Sequence, residues 1–288
     1  MDLACQGFCR IVDRRRREST CPPVGAISLL RDLAVLHNFG YSCGRNNVTP
    51  RRQLRTLADP IAAAGAARFF KTAPGEYGEG DRFLGITVPD LRKVSRQFED
   101  LPLPEVVRLL NSRWHEERLV ALFILVRQYA SGTSGHRNAI YRLYLKHTHR
   151  INNWDLVDAS AEHIVGAHRH NGNEIPLRRL AQSSSVWERR IAILATFHGV
   201  KRGRFGRTLQ VARWLRDDPH DLIHKAVGWM LREIGNRDRS VEEKFLTRHA
   251  ARMPRTMLRY AIERFPERLR QRYLALPRVN RRTRRLRI

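Results

Sequence analysis

An all-α fold of stacked two-helix repeats is what this sequence predicts, on three observations. From about residue 51 onward the apolar positions recur at helical spacing, and no set of alternating strands competes with them. Glycines and prolines fall between those periodic segments, at Pro74-Gly75, Pro89, Pro102, Pro104, Gly132, Gly135, Gly172, Pro176, Gly203, Pro219, Gly235, Pro254 and Pro266. The segments also resemble one another. Trp114, Trp154, Trp187 and Ile223 each open a similar unit, separated in turn by 40, 33 and 36 residues, the size of a HEAT-like repeat. Such units stack into a solenoid with one concave face. A non-repetitive helical bundle is the competing architecture.

The elements follow in order. Residues 1–50 read as a loosely attached extension: Arg14–Arg17, Cys21-Pro22-Pro23 and Asn46-Asn47 interrupt any periodicity, and only Ile27 to His37 could form a short helix. Residues 51–276 form the helical body, and 277–288 an Arg-rich tail. Within the body, Pro104 ahead of Glu105-Val106-Val107-Arg108-Leu109-Leu110 marks a helix with proline in its first turn. Ser184 or Ser185 before Trp187-Glu188 marks an N-cap with an acid in the first turn. The longest apolar run, Val120 to Val126, is far too short to span a bilayer, and no apolar stretch follows the N-terminal arginines as a signal peptide would require.

Charge narrows the function classes. Lys and Arg number 54 against 28 Asp and Glu, a net charge of +26 in 288 residues. Only six of the 54 are lysine, and arginine carries the rigid fork that fits phosphate oxygens. The 1–50 extension holds +3 and the tail +6, leaving +17 on the body. That excess is the footprint of a nucleic-acid binder on a folded surface, and it argues against a plain protein-interaction repeat. The four cysteines, Cys5, Cys9, Cys21 and Cys43, match no common zinc spacing, and the body has none, which fits a reducing, cytoplasmic setting.

One heptapeptide stands out. Asn152-Asn153-Trp154-Asp155-Leu156-Val157-Asp158 sets an indole and a carboxylate four residues apart, on one face of a helix. Trp154 reads either as a core aromatic or as an apolar plate beside an anion. A carboxylate inside an apolar helix is costly unless paired, so Asp158 is either half of a structural ion pair, with Arg190 or another Arg, or a working group. Asp155 reads as a first-turn acid. The equivalent early positions of the other repeats hold Arg118, Arg190 and Trp229, and such chemical variety at matched positions is what a binding face looks like. Arg189 and Arg190 could be a solvated pair or a phosphate clamp. Trp229 follows Gly228, which suggests close packing beneath the indole or a place in the core. His163, His168 and His170 lack the spacing and the cysteine partners of a metal site. Gly75, Gly78 and Gly80 lack the Gly-Lys-Ser/Thr of a nucleotide loop.

Several stretches together carry a family resemblance over roughly residues 55–275: Phe69-Phe70-Lys71-Thr72, Asp81 through Lys93, Trp114-His115-Glu116-Glu117-Arg118, Asn153 to Asp158, Trp187-Glu188-Arg189-Arg190-Ile191-Ala192, and His224 through Glu233. In this order they resemble the AlkD family of DNA alkylation-repair glycosylases. The resemblance implies a HEAT-like solenoid gripping duplex DNA on a basic concave groove. It implies hydrolysis of the N-glycosidic bond of cationic N3- and N7-alkylated purines without extruding the base, and no cofactor or metal. By motif, Asp158, Trp154 and Trp229 fall on the catalytic positions and Arg190 on the nearby arginine. Arg189, Arg118 and Lys225 are expected as further DNA contacts. The expected protein acts as a monomer in the cytoplasm, on the nucleoid when bound to DNA. A non-catalytic DNA-binding scaffold on the same solenoid is the alternative. Pro74 to Gly80 is an insert relative to the minimal family pattern, and neither 1–50 nor 277–288 lies within the match.

Overall fold

A computed structural model describes residues 49–168 and 175–277, with the side chain of Ile175 excepted. The anticipated helix at Ile27–His37, His170, and the extension and tail apart from Thr49, Pro50 and Pro277 lie outside the described residues.

The described residues are helical throughout, with one isolated bridge between Arg82 and Trp114 in place of any strand. Two short helices come first, α1 (Pro50–Thr56) and α2 (Pro60–Phe69). Each has proline in its opening turn and a capping side chain before it: Thr49 accepts from the Arg52 amide and Asp59 from the amides of Ile61 and Ala62. A loop then leads to α3 (Val88–Gln97), α4 (Leu103–Leu110), α5 (His115–Ser131) and α6 (Ser134–Lys146). Pro104 sits in the first turn of α4, as the sequence predicts.

The helix α7 (Trp154–Ala161) runs without a break into a π-helical turn, Glu162–Gly166. After the undescribed gap come α8 (Ile175–Ala181), α9 (Val186–Ala195), the single-turn α10 (Phe197–Val200) and α11 (Gly206–Leu215). Ser185, one of the two expected caps, accepts from the Glu188 amide at the start of α9. The chain closes with α12 (Asp221–Gly235), α13 (Arg239–His249), α14 (Arg255–Ala261) and α15 (Glu267–Leu274).

Packing sorts these helices into a repeat stack. An inner series runs α5, α7, α9, α12, α14, each packed on the next. Flanking helices lean on it: α3, α4 and α6 on α5, α8 and α11 on α9, α11 and α13 on α12. The inner helices open at or beside Trp114, Trp154, Trp187 and Ile223, so the repeat spacing read from sequence marks their starts.

The apolar run in α5 belongs to the core. Every residue from His115 to Leu125 is buried, because neighbours press on α5 from several sides. No described helix is long and apolar enough to cross a membrane.

Candidate active site

Asp158 and Arg190 meet where α7, α9 and α12 come together. The Asn153 side chain accepts from the Trp154 amide at 2.8 Å, which starts α7 and sets Trp154 and Asp158 on one face. Arg190, on α9, closes a two-bond fork on Asp158: its Nε donates to Oδ1 at 2.8 Å and its Nη2 to Oδ2 at 2.7 Å. Its Nη1 donates to the Leu222 carbonyl, 2.9 Å away, at the start of α12. Both side chains are buried, 7% exposed for Asp158 and 2% for Arg190. Burial raises the Asp158 pKa, and the guanidinium opposes that rise.

Trp154 is walled in by aromatics. One side stacks on Phe70 with centroids 5.1 Å apart, and Phe69 meets it edge-on at 5.9 Å. Burial raises the Tyr77 pKa, and the neighbouring Trp154 indole opposes that rise. The Tyr77 ring stands edge-on to Trp187, 5.9 Å away. Tyr77 therefore bridges the indoles that open α7 and α9. It arrives there on the insert, which is a tightly pinned loop. Gly78 donates its amide to the Lys71 carbonyl at 2.9 Å, and a Cβ at Gly78 would lie 2.3 Å from the Phe70 oxygen, so only glycine fits. The Glu76 and Glu79 carboxylates accept from the amides of Ala73 and Gly75.

A buried charge network underlies this wall. His115 lies between two carboxylates, with Nε2 2.7 Å from Asp155 and Nδ1 3.1 Å from Asp81. Arg118 donates to Asp81 at 2.7 Å and to the Ser112 carbonyl at 3.1 Å. Two acids, one guanidinium and one protonated imidazole sum to zero, the condition under which buried charges are tolerated. Burial alone would lower the His115 pKa; Asp155 and Asp81 outweigh it and raise the value to about 9. Burial would raise Asp81, but His115 and Arg118 hold it below the ordinary carboxylate range. Asp155 is in the first turn of α7 as expected, yet it is buried and serves His115.

The two glutamates between His115 and Arg118 complete the clamp. Glu116 accepts from the amides of Leu84 and Gly85, both at 2.9 Å. Glu117 accepts from Arg51 Nε at 3.1 Å and Arg55 Nη2 at 2.9 Å. Four consecutive side chains thus tie α5 to α1, to the loop ahead of α3 and to α7.

The arginines expected on phosphates are engaged within the protein. Arg118 is buried on Asp81, and Arg190 is turned inward onto Asp158 as an ion pair. Arg189 forks onto Asp218, with Nε 2.6 Å from Oδ2. Lys225 lies 3.2 Å from Asp221, one turn earlier on α12. Trp229 packs against Phe197 at 5.9 Å, and its buried Nε1 has no hydrogen-bond partner. Gly228 answers the question posed by its neighbour: a Cβ there would sit 2.4 Å from the Met257 carbonyl, so it is α14 that packs close. His168 acts as an aromatic, stacked on Tyr141 with centroids 4.0 Å apart.

Sequence reasoning missed Tyr77, Asp81, His115, Glu116 and Glu117 as parts of this site. For His115, Glu116 and Glu117 the signal was charge density at a helix start: His-Glu-Glu-Arg ahead of the apolar run Leu119–Val126 is too polar to bury without partners.

The helical-repeat fold has known relatives. The model of the family described as DNA alkylation repair enzyme matches residues 51–265. Among solved structures, a predicted DNA alkylation repair enzyme from Enterococcus faecalis shares the fold, with a TM-score of 0.56 and 16% identity over 73% of this chain and 98% of that one. No curated protein matches. The chain belongs to the DNA alkylation repair enzyme family, and DNA is the substrate such membership implies.

Proposed function

We propose that this chain is a DNA glycosylase that hydrolyses the N-glycosidic bond of cationic N3- and N7-alkylated purines in duplex DNA, without flipping the base. The observation that carries this reading is the Asp158–Arg190 fork on the inner helices, one turn from Trp154. Alkylation at N3 or N7 makes the purine a cation and a good leaving group. As the bond breaks, the deoxyribose becomes oxocarbenium-like. A carboxylate facing C1′ stabilises that charge and orients the attacking water. Each carboxylate oxygen of Asp158 gives one lone-pair direction to Arg190 and keeps another for water. Arg190 thereby positions the carboxylate. Trp154 walls it and is itself stacked on Phe70. The net charge of +26 draws the polyanion, and the exposed Arg68 and Arg82, which flank the Phe69–Asp81 loop, with Lys71 inside it, offer phosphate contacts.

The second reading is a non-catalytic DNA-binding scaffold, favoured by the fact that Asp158 is already satisfied by Arg190. Released purines from methylated duplex DNA decide between the two. Wild type is expected to release them, and Asp158→Asn to do so at least about 100-fold more slowly. Release by neither protein leaves the scaffold reading standing. Equal release by both removes Asp158 from the chemistry.

A further inference from the structure

Trp154 is the outer end of a column of four rings. We propose that Phe83 and His115 are positioning residues for base release, which set the plane of the Trp154 indole through the ring of Phe70 stacked between them. The role so assigned rests on the base-release reading of the same site.

Three stacked contacts make the column. Trp154 lies on Phe70 with centroids 5.1 Å apart and planes inclined by 19°. Phe70 lies on Phe83 at 5.0 Å and 16°, and Phe83 on His115 at 4.7 Å and 25°. All three separations fall in the range of attractive ring pairs. His115 also meets Phe70 directly, at 5.0 Å and 37°. Phe69 braces the outer end, edge-on to Trp154 at 5.9 Å and to Phe70 at 5.1 Å.

A column orients its last ring only if its first cannot turn. The His115 ring is fixed through both nitrogens, Nε2 2.7 Å from Asp155 and Nδ1 3.1 Å from Asp81. Against its burial, Asp155 and Asp81 raise its pKa to about 9, so at neutral pH it is an imidazolium lying over a phenyl face. Asp155 is the residue after Trp154 in α7. Indole and imidazolium are therefore tied twice, once through the rings and once through the Asp155 carboxylate. The middle ring is held as well: Phe83 is buried, and the two amides that follow it, of Leu84 and Gly85, donate to Glu116.

Orientation matters to the chemistry proposed. An indole face favours a developing sugar cation over the neutral sugar, and that attraction depends on where the face points. A mis-set plate loses an interaction felt mainly in the transition state, so kcat falls while KM stays.

The test replaces Phe83, which carries no polar group and leaves the charges of the network in place. Phe83→Leu removes the middle ring and Phe83→Tyr keeps it. Both are made in protein labelled with 5-fluorotryptophan, with the Trp154 resonance assigned by Trp154→Phe. In Phe83→Leu the Trp154 ¹⁹F resonance is expected to shift while that of Trp229, on α12, stays in place. Release of N7-methylguanine from duplex DNA is expected to lose about fivefold in kcat, the equivalent of one aromatic pair at ~1 kcal/mol, with KM within about twofold of wild type. Phe83→Tyr is expected to restore both the resonance and the rate. His115→Gln, which keeps a hydrogen-bonding group and removes the ring, is expected to shift the same resonance, and an unmoved one removes His115 from the column. In Phe83→Leu, an unmoved Trp154 resonance or an undiminished kcat overturns the proposal, as does a failure of Phe83→Tyr to restore them. If leucine unfolds the protein, Phe83→Met takes its place with the same expectation and the same overturning results. If wild type releases no base, it is the base-release reading that has failed. The hold of the column on Trp154 is then decided by the ¹⁹F resonance alone: a shift in Phe83→Leu that Phe83→Tyr reverses upholds it, and no shift overturns it.

Discussion

Arg190 occupies both carboxylate oxygens of Asp158, at 2.8 and 2.7 Å, from a helix 32 residues further along the chain. Neither group is therefore presented alone. The acid is held in one orientation by a charge that is itself anchored to the Leu222 carbonyl.

Arg190→Ala leaves a buried carboxylate without its counter-charge. Breaking a buried pair in this way costs about 3–5 kcal/mol, which urea unfolding should register. The Asp158 pKa, already raised by burial, should climb further, because the opposing charge is gone. Base release by the variant is then expected to be low at neutral pH and to recover partly as pH rises. A variant as stable as wild type, with a flat pH profile, would contradict this account.

His115 makes stability fall in alkali. Its folded pKa of about 9 lies above the ordinary 6.5, with Asp155, Asp81 and Arg118 as the charges facing it. Its contribution is present in full below about pH 6.5 and lost as pH rises through about 9, a span worth on the order of 3 kcal/mol. His115→Gln should flatten the unfolding free energy across that window. The measurement is denaturant unfolding at half-unit pH steps, and an unchanged slope in the variant would dismiss the network as a stabiliser.

Glu242 adds a second, separable pH dependence. Burial raises its pKa to about 9, only weakly opposed by Arg239 and Arg232, and its Oε1 has no hydrogen-bond partner. A carboxyl that stays protonated when folded but ionises at about pH 4.5 when unfolded loses stability as pH rises from 4.5 through 9. Glu242→Gln is neutral in both states and should be more stable than wild type at pH 8, by on the order of 2 kcal/mol. No gain at pH 8 would mean that Glu242 is ionised and paired when folded.

Gly228→Ala tests the seat of Trp229. The added methyl meets the Met257 carbonyl at 2.4 Å and the Tyr260 Cβ at 2.5 Å, so α12 must move off α14. The expected loss is about 1–3 kcal/mol, together with a changed Trp229 environment visible in near-ultraviolet dichroism. Wild-type stability would show that the two helices have slack between them.

Local rules of the chain made the helices readable. Pro104 and Ser185 mark helix starts through their own backbone and side-chain chemistry, and the tryptophan spacing marks the inner series. The pairing of Asp158 with Arg190 was one of two open readings, because spacing along one helix says nothing about which side chain faces it from the next. Arg118 shows the same limit. Its charge and position suit a phosphate, and only the arrival of Asp81 from a loop 37 residues away turns it inward. The insert could not be placed at all, since a loop's path depends on such close contacts as Gly78 against the Phe70 carbonyl.

The Glu117 clamp bears on how far this protein can be shortened. Its buried carboxylate, 2% exposed, takes Arg51 and Arg55 as its ion-pair partners. Trimming from the front past Arg55 would strand that negative charge in the buried first turn of α5, next to Glu116. The smallest version that still folds must therefore keep α1, whose Arg51 and Arg55 pair with Glu117. For anyone preparing a minimal domain for crystals or spectroscopy, the boundary is set by electrostatics at the start of α5, the first inner helix, and not by where the active site begins.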